Sequence, residues 1–234
     1  MKIWTNENIG AVHGSISVVG GSSSEVDPHA TVRSHEVFHG IGTIVSPPDG
    51  SIVAPGEVMH IEVRLPPGGA YKSVAIVSPL GFSDIAKSPP YVVTLKVPSD
   101  VALHAESITV LGAVEGKNGE ILARMTVDVE RPDMPREIWS DWKHLILGSP
   151  GEEIHLTIGA TFADGQSYDA TESSFVKYRS ADPKIATVNE DGLVRSVGPG
   201  ETWIWAIYEH GTEPVKLSIP VNVTQSVQQN SRDH

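Results

Sequence analysis

Near the start of the chain, His35-Glu36-Val37-Phe38-His39 spells H-E-x-x-H. On a helix this spacing puts two histidines one turn apart on a zinc ion, with the glutamate as general base. The surroundings oppose that chemistry. The string runs straight into the β-like Gly40-Ile41-Gly42-Thr43-Ile44-Val45, and Val45 occupies the place of the third histidine of extended zinc motifs. Only 34 residues precede it, too few for the upstream half of a protease. His29, His35 and His39 are left as an adventitious surface metal site at most.

The other chemistry-bearing groups are carboxylates. Asp164, Asp169, Asp182 and Asp191 fall in turn-like segments where oxygens can ligate calcium, but their spacing makes no D-x-D-x-D-G loop. The same residues serve equally as turn formers that accept hydrogen bonds from their own backbone. Glu152/Glu153 and Glu25/Glu36 offer carboxylate pairs of the kind glycosidases use, yet such a pair is defined by its distance across a cleft. No Ser-His-Asp arrangement or phosphate-cradling glycine loop stands out, and there is no cysteine for thiol chemistry. The expectation is therefore a non-enzyme without a cofactor, calcium being the one ion its loops could take.

Charge narrows the partners. With 17 basic and 29 acidic side chains the net charge is −12, a field that repels a phosphate backbone, so nucleic acid is not expected. No apolar run reaches the roughly 18 residues of a membrane helix, and Met1-Lys2-Ile3-Trp4-Thr5-Asn6-Glu7 lacks the apolar stretch of a signal peptide.

Something must position these residues, and composition points to strands. Val and Ile number 28 and 19 against 11 Leu, punctuated by 22 Gly and 17 Pro. Met59, Ile61, Val63 and Leu65 alternate with Val58, His60, Glu62 and Arg64, the period of a half-buried strand. The same reading covers 74–76, 92–97, 108–114 and 121–129. Asn118-Gly119 favours a type I′ hairpin between the last two. With no convincing helix among them, residues 39–130 read as an antiparallel sandwich. Residues 1–38, polar and Ser/Gly-rich, read as a flexible arm in which Ile16, Val18 and Val19 could add an edge strand.

Two prolines in Arg131-Pro132-Asp133-Met134-Pro135-Arg136 interrupt the pattern, which places a linker at 131–137. A second block, 138–224, has strands expected at 145–147, 152–162, 174–178, 186–188, 193–197, 203–208 and 215–223. Trp139 and Trp142 flank the linker and are expected to wedge the two blocks together. Residues 225–234 read as a disordered tail. The fold class is thus all-β, two tandem Ig-like sandwiches.

The second block resembles the bacterial immunoglobulin-like domains of group 2, BIG2. The resemblance rests on Leu145-x-Leu-Gly-x-x-Gly-Glu, Thr161-Phe-Ala-Asp-Gly-Gln-Ser-Tyr-Asp-Ala-Thr, the run from Tyr178-Arg-Ser-Ala-Asp-Pro through Asn189-Glu-Asp-Gly-Leu-Val, Val197-Gly-Pro-Gly-Glu-Thr, and Ile219-Pro-Val-Asn-Val. The first block is similar more loosely to other bacterial Ig-like modules, through Ser46-Pro-Pro-Asp-Gly-Ser-Ile-Val-Ala-Pro-Gly-Glu and Val114-x-Gly-x-Asn-Gly. The resemblance implies noncatalytic, extracytoplasmic modules of adhesins, surface layers, secreted polysaccharide-active enzymes and phage particles. In that setting the chain's own start carries no export signal.

One stretch departs from the family pattern. In Gly200-Glu-Thr-Trp-Ile-Trp-Ala-Ile-Tyr the family's inward positions fall on Ile204 and Ala206, and alternation turns Trp203, Trp205 and Ile207 outward. Lys177 and Arg179, with Lys216 and Ser218, are expected on the same face. An aromatic stripe bordered by cations suits a protein or glycan partner. Packing of this face on the first block, the N-terminal arm or a neighbouring copy is the competing reading, and an inverted register that buries both Trp is a third. The expected function is a surface or secreted interaction and spacer protein in adhesion or extracellular assembly. The alternatives are an accessory carbohydrate-binding region of a polysaccharide-active enzyme, or a self-associating phage, surface-layer or filament component.

Overall fold

A computed structural model describes residues 40–68, 71–114 and 119–224. The H-E-x-x-H string with His29, the arm, the tail and Asn118 of the expected hairpin turn lie outside these residues. Among the described residues there is no helix. Eight strands come first: β1 (Thr43–Ser46), β2 (Ser51–Val53), β3 (Val58–Arg64), β4 (Tyr71–Ser78), β5 (Gly81–Ala86), β6 (Tyr91–Lys96), β7 (His104–Val114) and β8 (Glu120–Val129). They form two sheets, ordered β1-β3-β6 and β2-β8-β7-β4-β5. Alternation does the sorting. Along β3, Met59, Ile61 and Val63 are buried while Val58, His60 and Arg64 are exposed, so one face of the small sheet meets Ile76, Ile108, Val110 and Val127 of the large one.

Ten further strands follow: β9 (Glu137–Ser140), β10 (Leu145–Leu147), β11 (Glu153–His155), β12 (Ile158–Thr161), β13 (Ser167–Asp169), β14 (Val176–Ser180), β15 (Ala186–Val188), β16 (Leu193–Ser196), β17 (Gly200–Tyr208) and β18 (Val215–Val223). They are arranged as β10-β18-β17-β14, β11-β16-β15 and β13-β12-β9. Their inner faces enclose a second core around Leu145, Leu147, Ile158, Phe162, Ile204 and Tyr208. The described residues thus form two tandem Ig-like β-sandwiches within one compact unit.

Three departures from the sequence reading have physical causes. Residues 152–162 are not one strand: the chain leaves β11 and enters β12 of another sheet, with the Leu156 N–H donated to Gly192 O at 3.0 Å and the Ile158 N–H to Thr171 Oγ1 at 2.9 Å. The sequence period runs through this switch unbroken. β5 lacks a clean alternation, and side-chain bonds supplement its backbone pairing with β4. Ser83 Oγ accepts the Ile76 N–H at 2.8 Å, and Asp84 Oδ1 accepts the Thr94 N–H at 2.6 Å. Finally, the sandwiches are antiparallel except where β2 runs parallel to β8 and β10 parallel to β18, a sense of pairing that alternation does not encode.

Trp139 packs within the second sandwich rather than wedging the two sandwiches together. Its indole lies across Gly159 on the adjacent strand, where even a Cβ would collide with the ring, and its Nε1 donates to Thr161 Oγ1 at 3.2 Å. Trp142 is 41% exposed. The junction is built from other residues. Leu103, in the connection between β6 and β7, is fully buried in the second core and donates its N–H to Asp169 O at 2.7 Å. Glu130, just past β8, is completely buried, and its carboxylate accepts from Ser173 Oγ at 2.8 Å and from the Ser174 N–H at 2.7 Å. Arg131 reaches Asp133 at 2.8 Å and Asp164 at 3.0 Å while its guanidinium lies 4.7 Å from the Phe162 ring centroid. His210 Nε2 meets Pro132 O at 3.1 Å and its ring stacks on Phe175. Residues 130–136 are therefore strapped onto the second sandwich by charge-assisted hydrogen bonds and ring contacts.

Candidate interaction face

β17 is long and central in its sheet. Its inward residues Thr202, Ile204, Ala206 and Tyr208 are buried, which leaves Glu201, Trp203, Trp205 and Ile207 on the opposite face. Trp203 is 49% exposed and Trp205 37%, while Ile207 is half-buried. Register decides their neighbours. On β14, Lys177 lies opposite Ile207 and Arg179 opposite Trp205. On β18, Lys216 lies opposite Ile207, Ser218 opposite Trp205 and Pro220 opposite Trp203. Lys177, Arg179 and Lys216 are exposed. The Lys177 ammonium donates to Ser174 O at 2.9 Å.

The face extends further than alternation within β17 reveals. Parallel pairing sets Ile146 of β10 beside Asn222 of β18, and Ile146 is 65% exposed. Asn222 Nδ2 in turn donates to Glu201 at 3.3 Å. The result is a flat, four-stranded surface with two indoles about 7 Å apart along one strand. Toward Pro220 and Ile146 it is apolar with the Glu201–Asn222 pair beside them, and toward Ile207 it is cationic. Such a surface can stack, bury apolar area and pair with anions.

The loop carboxylates are occupied locally. Asp164 Oδ1 accepts the Gln166 N–H at 3.0 Å, and this bond together with Arg131 holds its carboxyl below the ordinary range. Asp169 accepts from the backbone and hydroxyl of Thr171, and Asp182 from the Lys184 N–H. Glu152 Oε2 accepts the Gly148 N–H at 2.6 Å, and Glu153 faces Arg195 at 3.7 Å. Among the described residues no three His, Asp or Glu side chains converge as a metal site, and no helix is long and apolar enough to cross a membrane.

A second apolar surface went unnoticed in the sequence. On the outer face of the large sheet of the first sandwich, Ile85, Ala75, Leu111 and Ile121 form a cross-strand row, with Phe82 opposite Val77 beside it. Phe82 is 80% and Ile85 58% exposed. The signal was faint because the irregular pairing between Ala75 and Val77 breaks the period that would have marked β5.

No protein-family model matches the chain, and neither does any curated protein. Solved structures that align with it include fibronectin(III)-like modules of CbhA from Clostridium thermocellum, at TM-score 0.34 and 15% identity over 82% of this chain and 99% of that one. Extracellular domains 3–5 of Drosophila OTK align at 0.35 and 12%, over 78% and 66%. Domains 4 and 5 of the surface-layer protein SbsC align at 0.32 and 14%, over 81% and 100%. At identities and scores this low the likeness is no guide to ligand, partner or role.

Proposed function

We propose that the chain is a noncatalytic interaction and spacer region of a bacterial surface or secreted protein. In this reading, two modules, 39–130 and a BIG2-like 138–224, joined through 131–137, carry the Trp203–Trp205 face outside the cytoplasm. The outward indole pair carries the reading. Trp203 and Trp205 keep 49% and 37% of their surface in solvent, and covering that remaining apolar area is a stabilisation that a partner would supply. The strapped junction at Glu130 and Arg131 suits a spacer that holds such a face at a set orientation.

Labelled full-length chain added to intact cells of the producing bacterium, and to its isolated envelope, tests this. Saturable binding is expected, lost in Trp203→Ala/Trp205→Ala and kept in Phe82→Ser, with thermal unfolding showing that both variants fold. Absence of binding, or equal binding by the indole-free variant, overturns the proposal.

A further inference from the structure

We infer that the Trp203–Trp205 face binds an acidic polysaccharide in which carboxylate-bearing sugars alternate with neutral ones. This rests on the reading of the face as a contact surface and adds the chemistry of what it contacts. The first support is charge segregation. Residues 138–224 carry six Lys and Arg and twelve Asp and Glu. Three of the six cations, Lys177, Arg179 and Lys216, occupy outward positions of these strands beside Trp205 and Ile207. Glu201 is the single carboxylate there; Glu209, next in parity, lies beyond the strand end. A cationic island on a module of opposite net charge selects an anionic partner.

The distribution within the face narrows that partner. Lys216, Ile207 and Lys177 form one row across three strands and Arg179 adjoins it, whereas the Trp203 end carries Pro220, Ile146, Asn222 and Glu201, a carboxylate that accepts a neutral ring beside it and repels a charged one. A ligand charged at every unit would meet cations only over half the surface. One that alternates charged and neutral rings matches it throughout, with apolar ring faces on the indoles and carboxylates on Arg179 and the lysines. Pairing of two copies with their cationic rows superposed would set three cations against the same three, which is destabilising; the end-swapped pairing is read out in the test as self-association. Strand addition at β14 is also disfavoured, because that edge carries Lys177 and Arg179.

The test uses full-length protein, with hyaluronan and unsulfated chondroitin in native and carboxyl-reduced forms, a neutral dextran and a single-stranded DNA oligonucleotide. Binding to at least one native uronate polymer is expected, weakened about tenfold or more by carboxyl reduction and similarly by Lys177→Gln/Arg179→Gln. It should fall as salt rises from about 50 to 200 mM, and vanish in Trp203→Ala/Trp205→Ala, whose thermal transition shows that it folds. Equal binding of the carboxyl-reduced forms overturns the inference, as does preference for the oligonucleotide, binding to none of the polymers, or a self-associated species that the indole substitutions dissolve. If the indole substitutions abolish cell binding while no uronate polymer binds, the contact surface stands and only its assigned chemistry fails.

Discussion

The two sandwiches differ in where they keep their aromatic rings. The first has an aliphatic core of Val, Ile, Leu and Met, with Tyr71 and Tyr91 at its margin and Phe82 in solvent. The second buries Phe162, Tyr168 and Tyr208, packed edge to face with centroids 5.9 and 6.5 Å apart, and leaves its four Trp exposed, two of them on the outer face of β17. Aliphatic side chains interlock without preferring a polar neighbour, whereas ring faces attract cations and phenols need partners. The aromatic core is accordingly the one into which the junction plugs. Arg131 lies over Phe162 and Tyr168, and Leu103 is buried among the same residues although it comes from the first sandwich's side of the chain.

The strongest way to break this contrast is through the cores. All tryptophans of residues 40–224 lie in the second sandwich, so indole fluorescence reports its unfolding. Phe162→Ala is expected to cost about 3–5 kcal/mol and to lower the fluorescence midpoint in urea sharply. Leu103→Ala, at about 2–5 kcal/mol, should lower the same midpoint from outside residues 138–224. Ile61→Ala, of similar cost in the aliphatic core, should act mainly on the circular dichroism of the first sandwich. If Ile61→Ala moves the indole signal as far as Leu103→Ala does, the cores are not distinct and the comparison fails.

Glu130 sharpens it at a smaller scale. Truncation to Ala removes the acceptor of Ser173 Oγ and of the Ser174 N–H, which should cost about 1–3 kcal/mol. The pH dependence separates burial from hydrogen bonding. Burial pushes the Glu130 carboxyl above its ordinary value, aided by Asp128 and opposed by the bonds from Ser173 and Ser174. The folded protein then keeps a proton that the unfolded chain releases. The stability of the wild type relative to Glu130→Gln should be greatest below the ordinary glutamate range and decline as pH rises through the window up to the raised folded value. Urea midpoints of both proteins across that window give the sign. A difference that grows with pH would mean that the serine bonds outweigh burial.

Strand alternation made the inward set of β17 and the outward indoles legible, because a period of two survives in a long regular strand. That Lys177 and Arg179 share this face followed from the neighbouring strand's own alternation, whereas their register opposite Ile207 and Trp205 did not. Ile146 did not, since nothing in Leu145-Ile146-Leu147 says that it will lie parallel to a strand near the end of the chain. The junction was illegible for a related reason. Glu130-Arg131-Pro132-Asp133 has the composition of a solvated linker, and only the distant Ser173, Ser174 and Phe162 turn it into buried structure. Leu103 looks like one more apolar residue of the first block until the second core is assembled around it.

The smallest expected effect falls on Tyr208, at the heart of the aromatic core. Its ring is fully buried between Phe162 and Phe175. Its Oη is buried as well and meets no partner at hydrogen-bond geometry among the described residues, the Ser173 hydroxyl beside it being committed to Glu130. Burial raises the phenol's pKa, and the carboxylates of Glu130 and Asp133 raise it further, so it stays neutral and exacts the desolvation cost of a hydroxyl. Removing both a buried donor and the demand for its partner is close to neutral or favourable, unlike removing one partner of a made bond. Tyr208→Phe keeps the ring contacts and is expected to leave the indole-monitored midpoint unchanged or to raise stability by up to about 1 kcal/mol. In Glu130→Ala, where a carboxylate near the phenol is gone, the same substitution should gain less. A loss of more than about 1 kcal/mol on Tyr208→Phe would show that the hydroxyl is bonded at the junction, and that the aromatic core depends on the strap for polar satisfaction as well as for packing.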